Sequence, residues 1–450
     1  MKRVALAFLC VLPSCDSDEA PYEAPEFALP APDDTFLLGA AGAPQRLFGD
    51  AAAPTFATAF AALADDGFNR FVPVFLTDEN GAGTDHLTYF LPHAAFPEAV
   101  VGPIPSAIMC DGPNNAWTAA RGHLQIVLPA YALLMDYPVT EALDPTVVRQ
   151  RYEAFVRDCL AGDTSQVGGL YLYDEPANNY MTSTCCDGDP DATFTLGNVA
   201  VLADMGRDVV GASTMVIEAP TPFFLELVAE PWGIPAADLP GMLETFWTGV
   251  AATAPSADVY GFDVYPVDLV TDFATIADHA ALGREHAPAA MPIVVLQGFG
   301  MADMNIDVGT PGRRPTRSET RALAFLAAIA GVRGIYWYGQ SALVLGEAIW
   351  DDVREVARDL RRVSGILGLP PLVTNVGAST VEVIARRGDG VTYVVFANTA
   401  PVATAITLPL TATAHRVVDV VTGSVVAENV SGEFVLPVAA YDARVLALVD

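Results

Sequence analysis

From about residue 35 to residue 367 the chain alternates between short apolar runs and longer stretches whose apolar positions recur at helical spacing. The short runs are "TFLLG" (35–39), "RFVPVFL" (70–76), "LQIVLPA" (124–130), "GGLYLYD" (168–174), "STMVI" (213–217), "DVYGFDVY" (258–265), "PIVVLQGF" (292–299) and "GIYWYG" (334–339). Runs of this length without a solvent-facing polar alternation suit strands covered on both faces. Helical patterns occupy 55–67, 144–160, 273–287, 318–331 and 348–363, with Ser318 as an N-cap and Gly331 as a stop signal. Eight strand–helix alternations predict an α/β fold with parallel strands, and a closed (β/α)8 barrel is the natural solution at this length. An open doubly wound sheet is the alternative, but no GxGxxG or GxxxxGK[ST] follows any of these strands.

The pattern changes after the Gly/Pro-rich break "GILGLPPLV". Beyond it come "STVEVIARR", "GVTYVVFANTA", "TAITLPL", "HRVVDVVTGSVV" and "GEFVLPVAAYDARVLALV", separated by turn signals and without a helical pattern. This predicts a small antiparallel β-sandwich over 368–450, appended to a barrel over 35–367.

The opening residues, "MKRVALAFLCVLPSCDSDEAP", combine a positive start, a short apolar run and a small residue before a cysteine. The run is too short to span a bilayer, which needs about 20 residues. It resembles a bacterial lipoprotein signal over 1–14, in which Cys15 becomes the lipidated N-terminus. Residues 15–34 are acidic and rich in Pro and Ala, as expected of a stalk. Export is therefore expected, with the membrane contacted only through this anchor.

With 23 basic against 54 acidic residues the net charge is −31, which disfavours nucleic acid and anionic membrane surfaces as partners and leaves oligomeric state open. An oxidising compartment permits disulfides among Cys110, Cys159, Cys185 and Cys186. At least one of Cys110 and Cys159 is expected to pair with a cysteine of the 185–186 loop. No cofactor or metal is expected. The cysteines form no CxxC, and the histidines (86, 93, 123, 279, 286, 415) form no HExxH or HxH and read as surface or loop residues. "DMNIDVG" (303–309) and "DGDPD" (187–191) lack the calcium-loop glutamate and read as solvated acidic loops. Arg313 and Arg314 either reach a site from the loop after the seventh strand or pair with surface acids.

In a parallel barrel the chemistry sits at the C-terminal ends of the strands. In "LYLYDE" the period-2 alternation groups Leu170, Leu172 and Asp174 on one face, and Tyr171, Tyr173 and Glu175 on the other. Leucines suit the helix-facing side, so Glu175 is expected to point to the barrel axis. Gly261, Asp263 and Tyr265 group likewise, with the small Gly261 on the crowded inner face, and Val295, Gln297 and Phe299 face together. Two carboxylates converging on a cleft are what glycosidic cleavage requires, one protonated and one to attack or to activate water. Glu175 is the expected acid/base and Asp263 the second carboxylate. Gln297 and Tyr265 are expected to position sugar hydroxyls, Asp174 to hold loop backbone or a sugar hydroxyl, and Tyr173, Tyr265, Trp337 and Tyr338 to offer stacking faces.

"YLYDEP" resembles the fourth-strand ending of (β/α)8 glycoside hydrolases of the clan A type, in which the acid/base Glu precedes Pro. "GFDVYP", "PIVVLQGFG" and "RRPTRSETRALAFLAAIAGVRGIYWYG" resemble later strands of less-characterised members, where an appended sandwich is common. The resemblance implies cleavage of glycosidic bonds in a poly- or oligosaccharide, with Glu175 as acid/base. The sequence departs from the pattern at two places: Asp174 stands where Asn is usual, and Gln297–Gly298 where the seventh strand usually ends in the nucleophilic Glu. The second carboxylate then falls to Asp263, Glu218 or Asp174. The alternative is a non-catalytic carbohydrate-binding surface lipoprotein that uses the same cleft.

Overall fold

The computed structural model describes residues 27–42, 56–73, 110, 115–134, 140–185, 194–229, 234–270, 272–304, 312–339, 347–372, 380–410 and 414–449. Eight parallel strands, β1 (Leu37–Gly42), β2 (Arg70–Pro73), β3 (Gln125–Pro129), β4 (Val167–Asp174), β5 (Thr214–Glu218), β6 (Val259–Val264), β7 (Met291–Gln297) and β8 (Gly334–Tyr338), pair in sequence order, and β8 returns to β1 to close the barrel. The helices around it are α1 (Phe56–Asp65), α2 (Ala116–Ala120), α3 (Pro145–Asp158), α4 (Pro176–Cys185), α5 (Gly197–Val209), α6 (Thr221–Val228), α7 (Leu239–Thr253), α8 (Thr275–His286), α9 (Arg317–Ile329) and α10 (Ala348–Leu367).

Side chains alternate between two apolar cores along each strand. Leu37, Val72, Val127, Tyr171, Met215, Val259, Ile293 and Tyr336 fill the barrel interior. Their neighbours Leu38, Phe71, Ile126, Leu170, Val216, Tyr260, Val294 and Ile335 face the helices. Burial on both faces is why the strands read as continuous apolar runs. The interior is tight enough to dictate glycine at Gly39, where an added Cβ would lie 2.0 Å from the Tyr336 ring, and at Gly261, where it would lie 2.3 Å from the Ile293 carbonyl oxygen.

Beyond α10 the chain forms antiparallel sheets. β9 (Pro371–Leu372), β10 (Val381–Gly388), β11 (Val391–Asn398), β13 (Ala414–Asp419), β14 (Val425–Val430) and β16 (Ala443–Val449) make one sheet in the order β14-β13-β16-β11-β10-β9. β12 (Thr404–Pro409) and β15 (Glu433–Val438) make the second, and the two enclose Val394, Phe396, Ile406, Leu408, Leu436 and Leu446. The opposite face of β11 and β16, with Tyr393, Val395, Ala397, Val445 and Ala447, joins the barrel's outer core. Sandwich and barrel are thus one packed body, further joined by the stacked rings of Phe273 and Tyr441, 4.7 Å apart.

Three local expectations change. Cys110 and Cys159 bond to each other across 49 residues of sequence, not to the 185–186 loop. The side chain of Asn115 donates to the carbonyls of both, at 2.8 and 3.2 Å, and so gathers the two backbones at the start of α2. Helix α9 is capped by Thr316 rather than Ser318, because Thr316 and Glu319 exchange hydrogen bonds in a capping box, a T-x-x-E spacing visible in the sequence. His279 is buried on α8 rather than at the surface, between Phe223 and Phe262, with Nδ1 2.7 Å from the Thr275 carbonyl, and burial lowers its pKa to about 4.

Candidate active site

The end of β4 breaks the alternation that its sequence suggests. Tyr171 pairs with Met215 and Asp174 with Ile217, so three steps on β4 oppose two on β5. Such a bulge re-aims the side chains that follow it. Leu170 and Leu172 still face the helices and Tyr171 the interior, but Asp174 now turns inward. The Tyr171 hydroxyl donates to its Oδ1 at 2.5 Å. Glu175 then adopts a left-handed backbone, with φ of 45°. A non-glycine residue so placed costs about 1–3 kcal/mol and persists only where its surroundings hold it. Here the Glu175 N–H donates to the Ile217 carbonyl at 3.1 Å, and its own carbonyl accepts from Asn179 at 2.9 Å, opening α4 with Pro176 in its first turn. The strained step brings both members of the acidic pair to one cavity.

That cavity, of about 710 Å³, lies at the C-terminal mouth of the barrel. Asp174 and Glu175 enter it from β4, Asp263 and Tyr265 from the end of β6, and Tyr336 and Tyr338 from β8. The strand register sets the heights. Asp174 pairs in register with Ile217 and Ile217 with Gly261, so Asp263 lies one inward position further along its strand, an offset that the tilt of the strands largely cancels along the barrel axis. Strand β5 separates the two, which leaves their backbones about 10 Å apart across the mouth. The Tyr265 hydroxyl hydrogen-bonds Asp263, and the Tyr265 ring stacks on Tyr338 with centroids 6.2 Å apart.

Four other residues expected at the site lie elsewhere. Tyr173 is carried by the bulge to the helix side, where it packs on Tyr131 and Phe194. Trp337 also faces the helices, edge-on to Phe68, since its neighbours Tyr336 and Tyr338 take the inner face. Gln297 is fully buried and holds backbone: its Oε1 accepts from the Val267 N–H at 2.9 Å and its Nε2 donates to the Phe299 carbonyl at 3.0 Å. Glu218, the alternative second carboxylate, sits behind the cavity wall and accepts from the Ala177 N–H at 2.9 Å and the Thr253 hydroxyl at 3.2 Å. The cavity residues that sequence reasoning passed over include Tyr131, Tyr171, Tyr336 and Asn178. Strict alternation along "GIYWYG" separates Trp337 from Tyr336 and Tyr338. No comparable signal exists for Tyr131, which lies past the end of β3.

No lysine, arginine or histidine is among the described residues that line the cavity. Burial therefore dominates the titration of its acids. Glu175 is raised to about 8 by burial and by the charge of Asp174, against a 3.1 Å hydrogen bond from Asn178. Asp263 is pushed well above the carboxylate range by burial and then by Glu175 and Asp174, with Tyr265 opposing. Asp174 is also raised by its depth in the mouth, with the Tyr171 hydrogen bond opposing. It is nevertheless exposed to the space of the cavity, and in this environment we assign it the first negative charge. Glu218 is raised to about 8, again chiefly by burial.

Arg313 and Arg314 do not reach this cavity. Arg313 forks onto Glu319, with both contacts at 2.7 Å, and bonds Asp268. Arg314 forks onto Asp303 at 2.9 and 3.0 Å and reaches Glu347 at 2.6 Å. Of the two acidic stretches that resemble calcium loops, residues 187–191 and most of 303–309 lie outside the described residues. Among the described residues no cluster of His, Cys, Asp and Glu could hold a metal ion.

No family model and no curated protein matches the chain. Solved structures do resemble it. A GH30 endoxylanase from Clostridium papyrosolvens C71 aligns with a TM-score of 0.50 and 12% identity, over 94% of this chain and 98% of that one. AmyP in complex with maltose aligns at 0.49 and 11%, over 92% and 96%. An alpha-amylase from Geobacillus thermoleovorans, complexed with acarbose, aligns at 0.48 and 11%, over 92% and 98%. At such identities what the endoxylanase shares with this protein is the fold: a closed parallel barrel followed by antiparallel sheets.

Proposed function

We propose that the protein is an exported glycoside hydrolase that cleaves a neutral glycosidic bond with Glu175 as general acid and Asp263 as the second carboxylate. The observation that carries this reading is the meeting of Asp174, Glu175 and Asp263 in one tyrosine-lined cavity at the mouth of the barrel, with no lysine, arginine or histidine among its described lining residues. With its pKa near 8, Glu175 holds a proton at neutral pH and can give it to the leaving-group oxygen as the anomeric C–O bond breaks. Asp263 reacts in its ionised form, the proton that burial favours having gone to solvent, and then attacks the anomeric carbon or takes a proton from the water that does. Asp174 keeps its charge beside Glu175 and accepts a sugar hydroxyl. After bond cleavage Glu175, now ionised, takes a proton from the incoming water where the reaction proceeds through a covalent intermediate. The tyrosines stay neutral, because burial raises Tyr131, Tyr171, Tyr265 and Tyr338 above their ordinary range, and they supply hydroxyl donors and ring faces.

Release of reducing sugar from a panel of neutral oligo- and polysaccharides tests the reading, comparing the wild type with Glu175→Gln. Activity abolished by that substitution supports hydrolysis. Binding to one saccharide without turnover by the wild type supports the second reading, a carbohydrate-binding barrel, which is favoured by Gln297 spending its amide on backbone at the end of β7. Export and lipidation of Cys15 belong to the same proposal. The Cys110–Cys159 disulfide suits an oxidising compartment. Incorporation of labelled fatty acid by the full chain, and its loss in Cys15→Ser, tests the anchor.

A further inference from the structure

The cavity has two chemically unlike halves. Around Asp174 and Asp263 the walls carry five tyrosines, each with a ring face and a hydroxyl, with Phe299 packed on Tyr265 and Tyr338. On the side of Glu175, where α4, α6 and α7 approach, the walls are Met181, Phe224, Leu225, Ile234 and Met242. The polar groups on that side are already engaged with one another. Asn178 gives its Nδ2 to Glu175 at 3.1 Å and takes the Thr221 hydroxyl on its Oδ1 at 3.2 Å. The Thr182 hydroxyl turns back to the Asn178 carbonyl at 3.0 Å. A sugar ring seated there would give up its hydration and find few hydrogen bonds in return. An apolar group would lose nothing, and the two methionines adapt to its shape. A general acid stands beside the leaving-group oxygen, so the half of the cavity next to Glu175 is where the leaving group lies.

We propose that the apolar half of the cavity is an aglycone subsite, and that the substrate is a neutral glycoside carrying an aryl or alkyl aglycone rather than an unbroken sugar chain. The proposal rests on Glu175 being the general acid. The absence of lysine, arginine and histidine among the described cavity residues, together with three carboxylates, disfavours anionic aglycones.

The test uses the full chain and a panel of neutral monosaccharides, each as the methyl, butyl, hexyl and octyl glycoside. We expect kcat/KM to climb by about fourfold per added methylene until the subsite is filled. The octyl-to-methyl ratio should fall at least tenfold in Met242→Asn and in Leu225→Asn, with circular dichroism melts showing that each variant is folded. Binding of the neutral fluorophore N-phenyl-1-naphthylamine, displaced by octyl but not by methyl glycosides, provides a readout independent of turnover. Hydrolysis with a flat chain-length profile and no fluorophore binding overturns the aglycone subsite while leaving the hydrolase reading intact. Fluorophore binding lost in Met242→Asn, with no hydrolysis of any glycoside, retains an apolar subsite and removes the hydrolase. Neither binding nor hydrolysis removes both.

Discussion

Two groups of acids flank the mouth of the same barrel, and they titrate in opposite directions. Glu175 and Asp263, in the cavity, are raised. Asp303 and Glu319, in the loop after β7 and the first turn of α9, are lowered. Burial alone does not sort them, since Glu319 is only 3% exposed and yet lowered. The difference is the neighbouring guanidinium. Arg313 forks onto Glu319 and Arg314 onto Asp303, and each opposes the desolvation that the cavity acids meet uncompensated. One group is structural because its charge is matched, whereas in the other Glu175 keeps its proton at neutral pH because no cation among the described cavity residues matches its charge.

The sharpest way to break this contrast is to remove the proton that the cavity retains. Glu175→Gln keeps the shape and the Asn178 contact but cannot protonate a leaving group, and we expect kcat to fall by about 10²–10⁴ with binding preserved. In the wild type kcat/KM should decline as pH rises through about 8, since the acid form of Glu175 is the active one. A variant that retains most of its activity, or an alkaline limb unchanged by the substitution, would take the proton donor away from Glu175. Asp263→Asn should cost a similar factor and Asp174→Asn less. The anomer first released, read by proton NMR, separates attack by Asp263 from activation of water.

Stability against pH should display both groups at once. In the cavity and just behind its wall the folded chain holds more protons than the unfolded one between the ordinary carboxylate range near 4.5 and about 8, because Glu175 and Glu218 titrate near 8. Stability from these groups is therefore present at low pH and lost as pH rises through that window. For Asp303 and Glu319 the sign reverses: the unfolded chain takes up protons first, and their contribution is lost as pH falls below about 4. Thermal melts from pH 3.5 to 9 should show a maximum near pH 5, with the alkaline slope reduced in Glu218→Gln and the acid slope reduced in Glu319→Gln. A flat profile from pH 5 to 8 would mean that the cavity acids are ionised after all.

The extent to which all this was legible in the sequence follows the same division. The barrel and the sandwich were readable because every strand buries both faces or one, and the apolar runs record it. Asp263 and Tyr265 were readable because β6 keeps its alternation as far as the rim, with Gly261 marking the inner face. Glu175 was expected at the axis for a reason that turned out incomplete: the bulge after Tyr171 brought Asp174 inward with it and sent Tyr173 outward. A bulge depends on the neighbouring strand, so "LYLYDEP" alone does not encode it. Gln297 and Glu218 could not be judged either, because their partners, Val267 and Ala177, come from segments 30 and 41 residues away. The Cys110–Cys159 pairing was hidden for the same reason, since it needs Asn115 to gather two backbones.

The smallest effect we expect comes from the matched group. Arg314 is 37% exposed at its side chain, so its pairs with Asp303 and Glu347 are screened, and Arg314→Ala should cost about 1 kcal/mol or less, or about 1 °C in the melt of a body of this size. Its effect on substrate should exceed its effect on stability. Asp303 accepts from the Gly300 N–H at 2.7 Å, and Gly300 lies between Phe299 and Met301, both of which line the cavity. Loosening Asp303 lets that wall move, which should raise KM several-fold while kcat, set by Glu175 and Asp263, changes little. Arg314→Lys keeps the charge but not the fork, and it should fall between the two. If Arg314→Ala instead lowers kcat and leaves KM alone, the guanidinium is tuning the cavity acids from a distance, and matched and unmatched charge are not separate systems in this barrel.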